Sequence, residues 1–340
     1  MRVLITGGTG FVGRATVRAL IEAGHTVRVF ARDEARARET LRGLPVEIAV
    51  GDLAAIGDVA AALAGQDAMI HAGAAYRYDK DAEAASKANP GLSESALGAA
   101  LAAGIRVIDV SSQVVFKLGL DTVDPTTPLV QPGRPGWRDP YLRSKVQAEE
   151  AARVLDGKGL DRVTVHPSLI VGPDDPGPGT SGGLLVRVIG GGSLPDFRIA
   201  FVDVRDVAAT LVAALGATRG AHYLVTGSVM TYRDLAARID GLTGRRVRRF
   251  FVPPRMMRGI ARLNDLAGGH LVDLVPAGSL DYVLGNARVV DTSRTTRELG
   301  ITFRPVDETL SDMIRWWAAH GVLEPKLAGA LAGEMPPPGR

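Results

Sequence analysis

The sequence lacks cysteine, long apolar runs and clustered metal-binding side chains. None of the 340 residues is cysteine, which excludes disulfides, thiolate metal sites and cysteine nucleophiles and favours a reducing compartment. No uninterrupted apolar run reaches about 18 residues, so no transmembrane helix is expected, and the first apolar run is too short for a secretory signal. Histidines and carboxylates show no metal-ligand spacing. These absences predict a soluble cytoplasmic protein without a metal centre.

An excess of charge of one sign is also missing. Lys and Arg number 40 and Asp and Glu number 37, which leaves a net charge of +3. The densest basic run is Arg245-Arg246-Val247-Arg248-Arg249, which we interpret as an exposed strand edge. It is too short to indicate a nucleic-acid site, so no nucleic-acid partner is expected. The length allows one large domain or two unequal ones.

A glycine-rich stretch opens the chain. The apolar run Val3–Ile5 predicts a short buried strand, and a helical pattern follows the glycines and stops at Gly24. A strand, a glycine turn and a helix N-terminus in this order suit a dinucleotide pyrophosphate, although a plain tight turn is the alternative. The residues expected at the cofactor are Gly7, Thr9, Gly10, Phe11, Val12 and Gly13.

Apolar segments then alternate with helical patterns. The predicted strands cover 25–31, 46–50, 68–72 and 105–110, and the predicted helices cover 34–41, 56–63 and 82–103. This alternation is typical of an α/β fold with a Rossmann-type, doubly wound parallel sheet. Right-handed crossovers place the carboxyl ends of parallel strands on one edge. Gly8, Asp52, Gly73 and Ser112 should therefore share one site there.

The end of the second strand bears on the choice of cofactor. An acidic residue often stands there to bind the ribose 2′-hydroxyl of NAD, but this chain has Ala31 followed by Arg32. Arginine can bind a 2′-phosphate through two hydrogen bonds, which favours NADP(H) and leaves NAD(H) as the alternative. Asp33 is interpreted as the N-cap of the helix over 34–41.

Small residues follow the fourth strand. Ala72, Gly73 and Ala74 would let the backbone pass close to the cofactor ribose. His71, just before them, is interpreted as a packed strand residue, because no partner acid is evident. Tyr76, just beyond them, is a candidate for the substrate rim, with a solvent-exposed loop as the alternative.

A tyrosine and a lysine stand at the start of a later helix. Tyr141 and Lys145 are four residues apart, so their side chains share one helix face. A neighbouring ammonium favours the phenolate form of a tyrosine, and lysine has further donors for ribose hydroxyls. Ser112 can hold the same substrate oxygen. This set predicts hydride transfer at a nicotinamide with proton transfer by Tyr141.

Together these motifs resemble one enzyme family. The stretch TGGTGFVG, the serine after the fifth strand and the Tyr-x-x-x-Lys pair are similar to the extended short-chain dehydrogenase/reductases of the NAD-dependent epimerase/dehydratase family. The resemblance covers most of residues 1–320. It implies that Ser112, Tyr141 and Lys145 are catalytic.

Two stretches resemble a subfamily. YLRSKVQAE at 141–149 and HPSLIVGP at 166–173 are similar to the dihydroflavonol-4-reductase-like carbonyl reductases. Further cofactor contacts implied by the resemblance are Asp52 and Leu53 at the adenine and Pro167 and Ser168 beside the nicotinamide. A helix cap is the alternative role of Asp52. His166 stands where many relatives have arginine and is interpreted as a packing difference.

The resemblance also implies two parts of the chain. The dinucleotide-binding Rossmann domain is expected over 1–170, with a return segment at about 198–226. A smaller C-terminal substrate-binding lobe is expected over 171–197 and 227–325, and a disordered tail over 333–340.

Pro90 should kink or interrupt the helix that contains it. Asn89, just before it, stands where the family usually has an uninterrupted stretch, so its role is left open. Large apolar residues expected in the core rather than at a ligand are Met256, Met257, Trp316 and Trp317.

The leading hypothesis is an NADPH-dependent reductase of a ketone or aldehyde, or an enzyme for the reverse reaction. Tyr76, Gln113 and Val114 are its candidate substrate contacts, and they suggest a mainly apolar small molecule. One alternative is a sugar-nucleotide epimerase or dehydratase that retains NAD. A second is a non-catalytic NADPH-sensing protein, which would not need the catalytic residues. A homodimer is left open.

Overall fold

The computed structural model describes residues 1–74, 82–117, 119–134, 136–175, 180–266 and 289–333. Tyr76 and the expected tail beyond residue 333 lie outside these ranges. The strands are β1 (Arg2–Thr6), β2 (Thr26–Ala31), β3 (Val46–Val50), β4 (Ala68–His71), β5 (Arg106–Val110), β6 (Thr122–Val123), β7 (Arg162–Pro167), β8 (Leu169–Val171), β9 (Gly192–Pro195), β10 (Arg198–Asp203), β11 (His222–Val225), β12 (Ser228–Thr231), β13 (Arg249–Val252) and β14 (Val289–Val290). The helices are α1 (Phe11–Glu22), α2 (Glu34–Thr40), α3 (Ile56–Leu63), α4 (Ala82–Ala103), α5 (Pro140–Gly157), α6 (Thr180–Gly190), α7 (Val204–Ala213), α8 (Tyr232–Thr243), α9 (Pro254–Leu266), α10 (Ser293–Leu299), α11 (Val306–Ala319) and α12 (Pro325–Ala328). Within the described ranges, no helix is long and apolar enough to cross a membrane.

Seven parallel strands form the central sheet, in the order β11-β7-β5-β4-β1-β2-β3. Helices α1 and α7 pack on one face, and α3, α4 and α5 pack on the other. The chain moves outward from β1 in both directions, so the sheet is doubly wound, as predicted. The carboxyl ends of its strands meet at one edge.

The apolar run in β1 accounts for its central place. Val3, Leu4 and Ile5 are fully buried. Val3 and Ile5 belong to the cluster that includes α1 and α7, whereas Leu4 belongs to the cluster on the opposite face. Alternate side chains of a strand face opposite sides, so a strand covered on both faces must be apolar throughout.

Most predicted bounds are correct or differ by one residue. Strand β3 and helices α3 and α4 have the predicted limits, and β2, β4 and β5 are each one residue shorter. Of the two effects expected of Pro90, the interruption does not occur, because α4 continues on both sides of it, and the kink stays a prediction. The amide of the buried Asn89 donates to the Ser144 hydroxyl of α5 at 3.3 Å. Packing against α5 therefore supports α4 where the proline ring removes a backbone hydrogen bond.

A separate hydrophobic cluster lies in the C-terminal half of the chain. It includes Leu185 of α6, Leu235 of α8 and Trp317 of α11. Strand β10, at the centre of the small sheet β12-β10-β8, adds Ile199 and Phe201. The separate core is consistent with a second lobe, whose role in substrate binding stays a prediction.

One of the expected core residues is on the surface. Met257 is 5% exposed and Trp317 is fully buried, as predicted, and Trp316 is half-buried against the ring of His320. The expectation for Met256 is wrong, because its side chain is 50% exposed. Successive helix residues point about 100° apart, so α9 cannot bury both methionines on one narrow face.

The basic run at 245–249 also differs from its interpretation as an exposed strand edge. Only Arg249 lies in a strand, and its buried side chain pairs with Asp240 at 2.8 Å. The Arg245 guanidinium donates to the carbonyl oxygens of Ile189 and Leu327. Extended backbone points alternate side chains to opposite sides. Arg245 and Arg249 therefore bind groups of the protein, whereas Arg246 and Arg248 face solvent.

Candidate active site

The turn between β1 and α1 is built from glycines with little room for side chains. Gly7 has a φ of +72°, and a Cβ there would lie 2.6 Å from the carbonyl oxygen of Ala72. A Cβ on Gly13 would collide with the carbonyl oxygen of Gly7, whereas a Cβ on Gly10 would meet that oxygen alone, at 3.3 Å. No side chain of the described residues caps α1, so the open side of the turn offers backbone N–H groups to a phosphate. The other predicted contacts, all partly exposed, are Thr9, Phe11 and Val12.

A hydrogen-bond chain joins the ends of β1 and β4. Thr6 Oγ1 lies 2.8 Å from His71 Nδ1 and accepts the N–H of Gly73 at 3.1 Å. Burial lowers the pKa of His71, against the effect of Asp109, so the ring is neutral and its Nδ1 can accept the Thr6 proton. A Cβ on Gly73 would lie 2.9 Å from Leu53 Cδ2. These residues therefore meet at one edge, and His71 is the packed strand residue that was predicted.

Two loops at the same edge carry the residues predicted for the adenosine half of the cofactor. Arg32 is exposed directly after β2. Asp33 accepts a backbone N–H of the first turn of α2 at 3.0 Å, which confirms its capping role. Asp52 is exposed after β3 and accepts the N–H of Ala54 at 3.0 Å. The helix-cap alternative for Asp52 is wrong, because Ala55 occupies the N-cap position of α3.

Ser112 stands just beyond the end of β5. Its hydroxyl is buried and accepts the N–H of Val114 at 3.3 Å, at the start of the 3₁₀ turn Gln113–Val115. The side-chain oxygen of Gln113 accepts the hydroxyl of Thr226, beyond β11, at 3.1 Å. Gln113 therefore anchors the serine turn to the end of β11, two strands away in the sheet, and substrate contact by Gln113 and Val114 stays a prediction.

Helix α5 carries Tyr141 and Lys145 to the end of β5. Lys145 Nζ donates to the carbonyl oxygen of Val110 at 3.2 Å. Val110 is the last residue of β5 and stands two positions before Ser112. Tyr141, one turn earlier on the same face of α5, packs against the cluster that contains Val115 of the serine turn. The structure thus brings the predicted catalytic residues to one edge of the sheet.

A buried ionic cluster behind this helix face was missed from the sequence. Arg162 of β7 has a side chain 2% exposed, and its guanidinium lies 3.0 Å from Asp109, 3.1 Å from Glu149 and 2.7 Å from Asp156. Burial raises the pKa of Glu149, but Arg162 outweighs it and lowers that pKa to about 2. Glu149 follows Lys145 by four residues and so continues its face of α5. This spacing of four residues is the sequence signal that could have placed Glu149 on the same face as the predicted catalytic pair.

The segment at the end of β7 completes the edge. The Ser168 N–H donates to the carbonyl oxygen of Val225 at 3.0 Å. Its hydroxyl is buried without a hydrogen-bond partner among the described residues, which fits a nearby amide ligand such as the nicotinamide carboxamide. His166 is buried against Phe116, with its Nε2 3.0 Å from His222 Nδ1. Burial lowers the pKa of His166 to about 3, so it is the neutral packing residue that was predicted.

Comparisons with known proteins place the chain among oxidoreductases. The model of the NAD dependent epimerase/dehydratase family matches residues 3–226. The chain is 31% identical to Sterol demethylase protein B of Methylococcus capsulatus, over 95% of this chain and 100% of that protein. It is 28% identical to the 4-hydroxy-2-methyl-3-oxo-4-farnesyl-3,4-dihydroquinoline-1-oxide ketoreductase of Stigmatella aurantiaca, over 93% and 96% of the two chains. The solved structure of gox2253 superposes with a TM-score of 0.84 at 29% identity, over 95% of this chain and 99% of that one.

Proposed function

The chain belongs to the NAD dependent epimerase/dehydratase family and is an NAD(P)-dependent oxidoreductase, and from this premise we propose that it reduces a ketone or aldehyde to the alcohol with NADPH, or catalyses the reverse. The observation that carries the proposal is the contact between Lys145 and Val110. It brings the face of α5 with Tyr141 to the strand end that leads into Ser112. A sensor of the cofactor would not need this set.

The proposed mechanism divides the work among three side chains. The bound cofactor supplies or accepts the hydride at its nicotinamide. The Ser112 hydroxyl holds the substrate oxygen, and Tyr141 donates a proton to it as negative charge develops there. Lys145, whose ammonium is positioned by the Val110 carbonyl, stabilises the phenolate that remains and has donors left for the cofactor ribose.

Two observations support NADPH over NADH. Arg32 is exposed at the end of β2 and forms no ion pair with the residues that the structure describes, so its guanidinium is free to bind a 2′-phosphate. Asp33, the next residue, accepts a hydrogen bond from α2 as its cap. One of its carboxylate oxygens is thereby engaged by the helix, which makes Asp33 a weaker acceptor for a ribose 2′-hydroxyl.

A mainly apolar substrate is part of the proposal. The serine turn is followed by Phe116, and the cluster around it includes Val114, Val115 and the half-buried Trp137. Val114, Val115 and Phe116 are buried, so of these four side chains it is the partly exposed Trp137 that offers apolar area to a hydrocarbon-rich carbonyl compound. The name of the Methylococcus capsulatus relative, which refers to a sterol, supports the same class.

The test begins with the purified protein. Its absorbance shows whether a dinucleotide co-purifies. We then assay turnover with NADPH and with NADH on a panel of aliphatic, aromatic and polycyclic ketones and aldehydes. The panel also includes sugar nucleotides. We expect oxidation of NADPH with an apolar carbonyl compound. Tyr141→Phe should still bind NADPH, measured by fluorescence, and lose nearly all turnover.

Two outcomes would contradict the proposal. Undiminished turnover in Tyr141→Phe would remove the assigned proton donor. Tightly held NAD together with turnover of a sugar nucleotide would instead favour the epimerase alternative.

A further inference from the structure

Positive charge is concentrated in one segment of the C-terminal half. Between Asp240 and Asp265 the sequence has seven arginines and no acidic residue. The rest of the chain then has 33 Lys and Arg against 37 Asp and Glu. A protein whose net charge is only +3 therefore carries its whole basic excess in 24 consecutive residues. Such asymmetry indicates an anionic partner.

The arginine side chains that the structure describes in this segment divide into two groups. Arg245 and Arg249 turn inward, to backbone carbonyl oxygens and to Asp240. Arginines exposed to solvent in the same segment are Arg246, Arg248, Arg255 and Arg258. The exposed group extends from the approach to β13 into the first two turns of α9, so the charge is presented along one continuous piece of chain.

Large apolar side chains are exposed among these arginines. Phe250 is 59% exposed, Met256 is 50% exposed and Leu263 is 61% exposed. Met256, the half-buried Ile260 and Leu263 are spaced by four and three residues, so they form one stripe along α9, while Met257 is buried beneath. Eight large apolar side chains are exposed among the described residues, and three of the eight lie within the 14 positions from 250 to 263.

We propose that this surface, which we call the α9 surface and define by Arg248, Phe250, Arg255, Met256, Arg258 and Leu263, binds an anionic lipid bilayer. At 100° per residue, Arg255 lies about 110° and Arg258 about 170° around α9 from this stripe, so the helix has an apolar face and a separate arginine face. Such an amphipathic helix lies in the membrane interface, with the stripe among the acyl chains and the long arginine side chains reaching the headgroup phosphates. The helix rests on the bilayer and does not cross it.

The composition of the surface favours lipid over the other anionic or apolar partners. A nucleic acid would neutralise the arginines but leave the methionine and leucine side chains in water. A second copy of the chain on a twofold axis would oppose like charges across the contact. An anionic bilayer offers negative charge and an apolar interior at the same place. The proposal does not depend on the reaction catalysed.

Sedimentation with lipid vesicles tests the proposal on the full chain. Vesicles of phosphatidylcholine alone are compared with vesicles that also contain phosphatidylglycerol. We expect the protein to pellet with the anionic vesicles, less so with the neutral ones, and less as salt is raised. The double variants Arg255→Glu with Arg258→Glu and Met256→Ser with Leu263→Ser should each partition at least about tenfold more weakly.

Matched controls remove charge or apolar area elsewhere. Arg42→Glu with Arg297→Glu reverses two exposed arginines, and Val154→Ser removes a valine that is 60% exposed on α5. These controls should pellet like the parent protein, and dinucleotide binding should be intact in every variant, because no residue of the α9 surface belongs to the predicted cofactor site.

Several results would overturn the proposal. One is that the protein does not pellet with anionic vesicles, and another is that all variants pellet equally. A third is a dimer, measured by light scattering, that Met256→Ser with Leu263→Ser disrupts, since a second copy would then cover the stripe. If the parent protein binds anionic vesicles but shows no turnover of NADPH with any carbonyl compound, the proposed reaction is overturned and this inference is not affected.

Discussion

Glu149 of α5 and Arg162 of β7 form a buried ion pair with a separation of 3.1 Å, and both side chains are at most 2% exposed. The pair lies one helical turn beyond Lys145, whose ammonium is itself bound to the end of β5. The face of α5 is thus attached to the sheet at two successive turns. This double attachment sets the orientation of Tyr141 before any ligand arrives.

Loss of the guanidinium at the centre of this cluster should be costly. Arg162→Met leaves Asp109 and Glu149 buried without their cation, which typically costs about 3–5 kcal/mol. Urea unfolding measures the change. Arg238→Met, which breaks an exposed pair with Asp307, is the matched control and should cost about 1 kcal/mol or less. Equal losses would show that the cluster does not support the fold more than a surface pair.

Removal of the lysine charge should affect turnover more than folding. Lys145→Met removes the ammonium that stabilises the phenolate of the proposed proton donor, so kcat should fall by roughly a hundredfold or more. The exposed Lys158 at the end of the same helix supplies the control, Lys158→Met. Steady-state kinetics on both variants decide the matter, and an unchanged kcat in Lys145→Met would contradict the assigned role.

The cofactor preference should depend on a single arginine. Arg32→Ala should weaken NADPH binding by roughly tenfold or more and leave NADH binding nearly unchanged, because only NADPH carries the 2′-phosphate. Fluorescence titration with both cofactors measures this. Arg42→Ala, also exposed, should change neither. An equal loss of affinity for the two cofactors in Arg32→Ala would mean that Arg32 does not bind the 2′-phosphate.

Buried histidines should make stability depend on pH. Burial lowers the pKa of His166 to about 3 and also lowers the pKa values of His71 and His222. Below the ordinary histidine pKa of about 6.5 the unfolded chain binds protons that the folded chain does not bind. The contribution of the neutral histidines to the free energy of unfolding is therefore fully present above that pH and is lost as the pH falls. For His166 the slope is about 1.4 kcal/mol per pH unit between about pH 6.5 and about pH 3.

Denaturant unfolding at a series of pH values isolates the part due to one residue. His166→Phe keeps an aromatic ring beside Phe116 but cannot titrate, so its stability should fall less steeply with decreasing pH than that of the parent protein. His320→Phe, at an exposed position, should retain the parent slope. Parallel slopes for the parent and His166→Phe would refute this assignment.

The sequence predicted the parts of the fold that depend on local pattern. The limits of β3 follow from a short apolar run, those of α3 and α4 follow from helical, Ala-rich patterns, and the glycine turn follows from its spacing. The pairing of Arg162 with Asp109 could not be predicted, because the two residues are 53 positions apart and meet only when β5 and β7 lie side by side. The exposure of Met256 was missed because a pair of adjacent methionines does not show which of them faces the core.

The contacts that assemble the site span long stretches of chain. Lys145 reaches Val110 across 35 residues, and Thr226 reaches Gln113 across 113 residues. Loops of this length close slowly, and the contact between Gln113 and Thr226 joins strand ends that meet only when β5, β7 and β11 have paired in parallel. The order of events during refolding is therefore constrained, and the return of catalytic activity would report the late pairing of these strands, after the local helices have formed.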